Sequence, residues 1–326
     1  GVQTCALPIS EILFLYEAKD TNPNGDPDAE NRPRMDYVGR RLLVSDVRLK
    51  RYVRDYLLAR GEDVWVRTRE DGSRTDADGR LEELKALYKE ETGKEAGARK
   101  KDLDPGFLAW YLRRLRDVRL FGAVLPIKAE GEAKGGTGQF VGPVQFDWGY
   151  SLHPVEVYTA TISSQFSGRT EGGKGEHGTF GKDHRVHYAL IAFWGRVSAR
   201  RAQALGLTPE DLEVLERGLL EGLLEGATTR SKVGQTPLLY LRLDWKEGFR
   251  PLGDPRDGLR VRPEGEKPPE AIRALSDYVL EAGGLFQGLF RHREAVDRVR
   301  FWRHPDLRLV GLSLEDLGVR VEEVGF

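Results

Sequence analysis

The spacing of apolar residues predicts strands at several places along the chain. Residues 11–18 form a short apolar run that ends in a cluster of turn formers, which is typical of a buried strand. Residues 155–162, 186–193 and 237–245 are rich in the β-branched and aromatic residues that strands favour. A weaker alternation at 63–68 and an apolar stretch at 118–127 indicate two further strands.

Two amphipathic helices are predicted between the clearest strands. The first begins at the N-cap Ser45 and ends before Gly61, and its apolar face consists of Leu49, Val53, Tyr56 and Leu57. The second begins at Thr208, which is followed by a proline and, three residues on, by an acid. When residues 61–142 are omitted, the order is strand, helix, strand, strand, helix, strand. That is the split βαβ order of the ferredoxin-like fold.

Residues 61–142 interrupt this order, and we interpret them as an insertion. Residues 69–80 are polar and rich in turn formers, so they predict an exposed loop. Helical patterns follow at 81–91 and 105–116, and the glycines within 135–138 predict a flexible surface loop. These glycines lack the lysine and spacing of a phosphate-binding Walker loop. After residue 250, helical patterns near 270–281 and 294–302 predict a helical C-terminal extension.

Composition indicates the cellular compartment of the protein and limits how it could bind nucleic acid. At 326 residues it can bury a substantial core without disulfides, and its lone cysteine, Cys5, cannot form an internal bridge. It has no run of about eighteen apolar residues and no secretory signal pattern, so we expect a cytoplasmic protein that does not contact a membrane. The net charge is −1 although 32% of the residues are charged. Any nucleic-acid binding must therefore come from locally concentrated charge.

Positive charge is concentrated between residues 32 and 60, where nine Lys/Arg face three acids. This segment follows a turn-rich stretch and contains a helix start, a combination that suits phosphate oxygens. The alternative interpretation is a solvated basic helix. The second helix is acidic, with six carboxylates against Arg217 alone. An acidic flank and a basic flank would favour head-to-tail contact between copies of the chain.

Three further clusters are candidate sites. Asp26, Asp28 and Glu30 could hold Mg²⁺ for phosphodiester cleavage, or they could cap the turn that contains them. Histidines 177, 184 and 187 have no cysteine beside them, so RNA or backbone contact is favoured over zinc for His184. The glycine-rich residues 167–183 carry bracketing cations, which suit a loop that contacts nucleotides. No Gly-x-Ser-x-Gly nucleophile motif is present.

Several separated motifs resemble one known family. They are Asn-Pro-Asn-Gly-Asp-Pro at 22–27, Asn-Arg-Pro-Arg at 31–34, Ser-Asp-Val-Arg-Leu-Lys-Arg at 45–51, Gly-Pro-Val-Gln-Phe at 142–146, Gly-Lys-Asp-His-Arg-Val-His-Tyr at 181–188 and Arg-Ser-Lys-Val-Gly-Gln at 230–235. In this order they resemble the Cas-seven (Cas7) backbone proteins of type I CRISPR Cascade complexes, closest to type I-B and near type I-C.

The resemblance implies an α+β fold with an RRM-like palm and inserted finger and thumb elements. The palm would comprise residues 11–60 and 143–249, with a thumb-like loop at 167–183. Residues 61–142 would be the inserted finger and 250–326 the C-terminal extension. Residues 1–10 match nothing expected in the family, and we interpret them as a leader or an assembly scar.

The resemblance also implies a noncatalytic subunit that polymerises along the CRISPR guide RNA (crRNA) and leaves its bases free to pair with target DNA. Its expected partners are further copies of itself and the Cas-five, Cas-six and Cas-eight subunits, with no cofactor or metal. The expected RNA-binding residues are Arg34, Arg40, Arg41, Ser45, Arg48, Lys50, Arg51, Gln165, Arg169, Lys182, His184, Arg185, Arg230, Ser231, Lys232 and Gln235.

Two alternatives remain open from the residues. The first is a metal-dependent endoribonuclease that uses Asp26 and Asp28. The second is a general single-stranded RNA binder of the RRM type, although the aromatic signature of RRM strands is absent.

Overall fold

A computed structural model describes residues 7–67, 72, 76–96, 98–99, 102–127, 136–163, 180–248 and 253–325. The α-helices in these residues are α1 Asp46–Ala59, α2 Ala77–Thr92, α3 Pro105–Arg114, α4 Arg116–Phe121, α5 Ala199–Leu205, α6 Pro209–Gly226 and α7 Gly283–Arg291. None of them is long and apolar enough to span a membrane.

Strands make up most of the remaining structure. They are β1 Ser10–Thr21, β2 Gly25–Asp26, β3 Arg32–Pro33, β4 Met35–Asp36, β5 Arg41–Val44, β6 Ala98–Arg99, β7 Asp102–Leu103, β8 Gly122–Ile127, β9 Gly136–Val141, β10 Val144–Phe146, β11 Gly149–Ser151, β12 Val157–Ser163, β13 Phe180–Val197, β14 Gln235–Trp245, β15 Arg260–Pro263, β16 Tyr278–Glu281, β17 Val296–Arg303, β18 Leu309–Val310 and β19 Arg320–Glu323.

The main sheet is built around β1. Its strand order is β19-β17-β14-β1-β13-β11-β5-β4, and β10 and β12 also pair with β13. β1 is antiparallel to both neighbours, so Phe14 lies opposite Phe193 of β13 and Tyr240 of β14. The strands predicted at 11–18, 155–162, 186–193 and 237–245 are confirmed, and β13 is longer than predicted. Residues 180–183, which we expected in the glycine-rich loop, belong to β13, and residues 164–179 lie outside the described residues.

Helices α1 and α6 cover one face of this sheet, and their predicted starts are confirmed. Ser45 caps α1 by accepting from the Arg48 amide, and Thr208 and Asp211 form a capping box at α6. The two helices touch closely at Gly222, where an added Cβ would lie 2.8 Å from the Tyr52 carbonyl oxygen. A larger residue at this position would push the helices apart.

The C-terminal residues cover the opposite face. Leu13 and Leu15 of β1 are at most 1% exposed and pack in one cluster with Tyr278, Leu285 and Leu317. The predicted helices at 270–281 and 294–302 are wrong, because these residues contain the strands β16 and β17. The C-terminal extension is therefore mainly strands and short turns around the single helix α7, within the described residues. Periodicity alone does not separate helix from strand in short apolar runs such as these.

The insertion has a small core of its own and is joined to both core helices. Trp65, Leu84, Phe107, Tyr111 and Leu125 belong to one buried cluster. Two ion pairs fix this unit in place: the buried Asp117 lies 2.9 Å from Arg54 of α1, and Arg116 lies 2.7 Å from Asp211 of α6.

Predictions within the insertion are partly wrong. Residues 63–67 are not a strand. Of the strand predicted at 118–127, residues 122–127 are confirmed as β8, whereas residues 118–121 belong to α4. Residues 136–138, expected in a flexible loop, pair with β8 as part of β9. The expected exposed loop at 69–80 ends early because α2 begins at Ala77, and Arg80 is buried with its Nη2 2.6 Å from Asp63.

Candidate nucleic-acid interface

The end of β1 and the loop between α6 and β14 form one junction. The Asn22 amide donates to the Ser231 carbonyl at 2.9 Å, and the Lys19 amide donates to the Gly234 carbonyl at 2.8 Å. Gly234 has a φ of 108°, and an added Cβ would lie 2.3 Å from the Lys19 carbonyl oxygen. Only glycine therefore allows these two segments to lie side by side.

Lys232 and Gln235 hold this junction from within. The Lys232 ammonium donates to the carbonyl oxygens of Asn22 and of Pro23, the latter at 3.1 Å. Burial, together with the nearby Arg48 guanidinium, lowers the pKa of Lys232 to about 8. Gln235 donates to the Lys232 carbonyl at 3.0 Å and accepts from the Tyr52 hydroxyl at 3.1 Å. Both residues, predicted to contact RNA, therefore also have a structural role.

The first residues of β13 add further cationic side chains to the junction between β1 and the α6–β14 loop. The Arg185 guanidinium donates to the Asp20 carbonyl at 2.7 Å and to the Arg230 carbonyl at 3.3 Å. Asp183 lies 2.7 Å from Arg185 and 3.2 Å from Arg230. The side chains of Arg230 and Lys182 remain 65% and 60% exposed. These two side chains are the cations most available to a ligand among those predicted at this junction.

The N-terminus of α1 completes the arrangement. Asn24 Oδ1 accepts from the Ser45 amide at 2.8 Å and from the Ser45 hydroxyl at 2.9 Å. Arg48 lies over the Tyr52 ring, with its Cζ 4.3 Å from the ring centroid. Arg34 lies 3.5 Å from Asp26. The motifs at 22–27, 31–34, 45–51, 181–188 and 230–235 therefore meet around one surface, although the last two are more than 100 residues from the first three.

A groove of about 500 Å³ extends from this surface between β3 and β12. Arg32 and Tyr37 line one side, and His184 and Thr159 line the other. His184 is 2% exposed, and its Nδ1 lies 2.8 Å from the Thr159 hydroxyl. Its Nε2 has no hydrogen-bond partner among the described residues. The groove therefore combines rim cations with a buried ring nitrogen that can bond to a ligand.

Other predicted RNA-binding residues lie elsewhere. Lys50, expected on the exposed basic face of the helix, is buried and lies 2.9 Å from Asp46 and 3.3 Å from Gln145. Arg51 is 2.5 Å from Asp55 and points towards the insertion. Arg41 lies over the Tyr150 ring at 5.2 Å. Arg40, by contrast, lines the groove and pairs with Glu270 at 3.2 Å. Gln165 and Arg169 lie outside the described residues.

Two residues that matter for the geometry were absent from the prediction, Asn24 and Asp183. Both occur inside the motifs that point to the site, but a neutral amide and an acid do not stand out as phosphate ligands. Their role is to orient Ser45, Arg185 and Arg230, and this role follows only from the contacts between distant segments.

The carboxylates of the first loop stabilise the turn. Asp26 accepts from the Asp28 amide at 3.2 Å, which confirms the predicted capping. Glu30 lies 3.3 Å from Lys182. In the part of the chain that the structure describes, no three metal-ligating side chains lie close enough together to hold an ion.

The predicted acidic flank is wrong. Asp211 and Glu216 are at most 1% exposed, and Glu216 lies 2.7 Å from both Arg242 and Arg300. Glu221 and Glu225 pair with Arg60 of α1 at 2.7 and 2.9 Å. Five of the six acids of α6 therefore pair with arginines of the same molecule, while Glu213 is exposed.

The burial of the sheet also argues against RNA binding of the ordinary RRM type. An RRM stacks bases on aromatic side chains of an open sheet face. Here both faces of the central strands are covered, and Tyr188 of β13 is 1% exposed under Tyr278. A nucleic acid can reach the loops and strand ends but not the sheet face.

Comparisons with known proteins agree with the motifs. The sequence profile of the family described as CRISPR-associated protein Cas7 matches residues 9–283. The chain is 33% identical over 330 residues to a CRISPR-associated protein Cas7 of Haloferax volcanii, with 96% of this chain and 91% of that protein covered. It is also similar to a chain of a solved structure called "CRISPR RNA-guided surveillance complex, pre-nicking", at a TM-score of 0.52 and 16% identity, covering 97% of this chain and 96% of that one. At this identity the likeness shows a shared mixed α+β fold. The chain belongs to the Cas7 family of CRISPR-associated proteins.

Proposed function

We propose that this protein is a noncatalytic crRNA-binding backbone subunit of a type I Cascade surveillance complex, of the I-B or neighbouring I-C kind. The observation that carries the proposal is the convergence of five separated motifs on one surface that exposes Lys182 and Arg230. Family membership and the name of the similar solved complex support it. Type I-B rests on the motifs alone.

The proposed architecture is an RRM-like palm with additions. The order β1, α1, β10 to β12, β13, α6, β14, with β1 between β13 and β14, supports a palm formed by residues 11–60 and 143–249. Residues 61–142 would be the finger, 167–183 the thumb and 250–326 a covering extension. Because the sheet face is covered, guide RNA would run along the loops at the end of β1 and the start of β13.

Such a surface suits recognition of the sugar-phosphate backbone. Exposed guanidinium and ammonium groups bind phosphates of any sequence, and the bases stay free to pair with target DNA. In the cell we propose a cytoplasmic ribonucleoprotein that contains several copies of this chain together with Cas-five, Cas-six and Cas-eight subunits.

The salt dependence of RNA binding tests the proposal. The double substitution Lys182→Ala and Arg230→Ala should weaken binding to poly(U) and poly(A) to the same extent. It should also reduce the slope of log K against log[salt] by about 1.4, since each phosphate contact to a single strand contributes roughly 0.7. The measurement is fluorescence anisotropy from about 50 to 300 mM salt.

Arg320→Ala is the matched control, because Arg320 is 72% exposed and ion-paired at 2.5 Å but lies on β19, away from the motifs. An equal loss of affinity in the control, or an unchanged slope in the double variant, would refute this interface.

The noncatalytic part of the proposal has its own test. Wild type and Asp26→Ala should both leave labelled RNA intact during long incubation with Mg²⁺ or Mn²⁺. Asp26→Ala should lower the free energy of unfolding by about 1 kcal/mol, because it removes the turn cap at Asp28 and the ion pair with Arg34. RNA cleavage by wild type that disappears in the variant would establish a nuclease instead.

A further inference from the structure

The turn between β4 and β5 presents two apolar side chains to solvent. Tyr37 is 77% exposed and Val38 is 98% exposed, the largest values among the large apolar residues of the described chain. A single exposed apolar residue is ordinary, but neighbouring ones that protrude together indicate a contact with another molecule. We call this turn, residues 36–41, the β4–β5 tip.

The β4–β5 tip is held in one conformation by its own residues. The Asp36 carboxylate accepts from the Val38 amide at 3.1 Å and from the Gly39 amide at 3.2 Å. An added Cβ at Gly39 would lie 2.6 Å from Asp36 Oδ2, so glycine allows the carboxylate to lie against the turn. Because the apolar side chains sit on a preorganised turn, docking them would cost little conformational entropy.

A groove of complementary character lies at the other edge of the main sheet. This β19 groove has a volume of about 420 Å³ and lies beside β17 and β19. Leu309, Leu312 and Val321 are among its apolar lining residues, and Val321 is 40% exposed. In the strand order of the main sheet, β4 and β19 are the two ends, with six strands between them. The tip and the groove therefore lie at opposite edges of one sheet.

The surroundings of the tip are positively charged. Residues 34–41 contain three arginines and one acid, Asp36, which gives a net charge of +2. Glu270 pairs with Arg40 at 3.2 Å and reduces this to +1, but the Arg40 side chain stays 51% exposed. A partner surface that accepts the tip should therefore carry negative charge around an apolar centre.

The β19 groove has this character. Glu315 and Glu323 line it together with a single cation, Arg303. Both glutamates are exposed, and neither forms an ion pair within the part of the chain that the structure describes. The groove thus combines an apolar lining with a net negative rim.

We propose that the β4–β5 tip of one copy of this chain docks in the β19 groove of the next copy. The groove lining would cover Tyr37 and Val38, and the arginines beside the tip would face Glu315 and Glu323. Since the two surfaces differ and lie at opposite edges, the contact is heterologous and can repeat from copy to copy. One turn covers little surface, so the inference rests on the proposed function, in which RNA gathers the copies.

Two substitutions test the two sides of the contact. Val38→Asp and Val321→Lys should each raise the protein concentration that half-fills a long RNA by about tenfold, because burying a valine side chain contributes a factor of this order. Binding to an RNA short enough for one copy should be unchanged, because neither residue lines the groove between β3 and β12. Mass photometry on the long RNA and fluorescence anisotropy on the short one measure the two quantities.

Matched controls place the same changes at other exposed valines. Val66→Asp and Val310→Lys alter side chains that are 54% and 46% exposed and that line neither groove. Both controls should fill the long RNA as wild type does. Equal losses in the controls, or unchanged filling in Val38→Asp or Val321→Lys, would overturn the proposal.

Crosslinking tests which surfaces meet. Cys5 is the only cysteine, so a Cys5→Ser chain can carry single introduced cysteines. A mixture of Val38→Cys and Val321→Cys chains on RNA should give covalent dimers with bismaleimidoethane, whereas either variant alone should give none. Dimers of Val38→Cys alone would show a symmetric contact instead and would refute head-to-tail docking, as would the absence of dimers from the mixture.

The same crosslinking separates this inference from the proposed function. The mixture is also treated without RNA at high protein concentration. RNA binding without crosslinked dimers overturns the docking and leaves the proposed function intact. Crosslinked dimers from a chain that does not bind RNA would support the docking and overturn the proposed function.

Discussion

His153 shows how a buried residue links the fold to pH. The ring is 2% exposed; its Nδ1–H donates to the Pro154 carbonyl at 2.8 Å, and its Nε2 accepts from the Leu190 amide at 3.2 Å. In the neutral ring both nitrogens therefore form hydrogen bonds. Burial lowers the pKa of His153 to about 4. Since protonation would replace the Nε2 acceptor with a donor facing the Leu190 N–H, the fold requires the neutral form.

The pH dependence of stability follows from this shift. The unfolded histidine binds a proton near pH 6.5, whereas the folded one does so only near pH 4. Stability due to His153 is therefore present above pH 6.5 and is lost as the pH falls towards 4, by on the order of 3 kcal/mol. Urea unfolding at pH 7 and pH 4.5 measures this loss, which should shrink in His153→Gln. An equal pH dependence in His153→Gln and in the control His304→Gln would contradict this assignment.

For single helices and strands, the sequence predicts those features that depend on residues close together in the chain. The Ser45 cap and the Thr208 capping box are predictable because the bonding groups lie three residues apart. The strands around β1 are predictable from their β-branched and aromatic residues. The buried state of Lys50 and Glu216 is not predictable, because their partners Gln145 and Arg300 are about 80 or more positions away. The packing of residues 253–325 on the second face of the sheet is likewise not predictable, because it depends on contacts between residues far apart in sequence.

The link between the first loop and α1 gives a prediction for an element. Asn24→Ala removes the acceptor for the Ser45 amide and hydroxyl, so it should lower the free energy of unfolding by about 1–2 kcal/mol. Amide hydrogen exchange at Ser45 should also become faster. Asn24→Asp is the matched control, because it keeps the acceptor and adds a negative charge that favours a helix N-terminus.

The same pair of variants tests the proposed interface. Asn24→Asp should keep the stability of wild type but weaken RNA binding, because its carboxylate would repel phosphates near Arg34 and Arg48. Equal destabilisation by Asp and Ala would show that the Asn24 amide nitrogen, rather than Oδ1, holds the loop.

For the whole molecule, internal pairing of charge limits how copies can associate. Five of the six acids of α6 are paired with Arg60, Arg116, Arg242 or Arg300, and the sixth, Glu213, is exposed, so little unpaired negative charge is left on this helix for a neighbour. The most exposed large apolar residues of the described chain, Tyr37 and Val38, occupy one short turn. Exposed ion pairs contribute only about 0–1 kcal/mol each. Contacts between copies are therefore expected to be weak unless RNA holds them together.

Assembly should accordingly depend on RNA. The protein alone should be monomeric at micromolar concentration, and the mass of its complexes should rise in steps with RNA length, because RNA raises the effective concentration of neighbouring copies. Mass photometry with RNAs of increasing length measures both quantities. Glu213→Lys, a change at an exposed position of α6, should leave the number of copies per RNA unchanged. By contrast, Glu216→Lys should prevent folding, because it places a cation against Arg242 and Arg300. Stable oligomers without RNA, or shorter arrays in Glu213→Lys, would show that α6 contacts a neighbour after all.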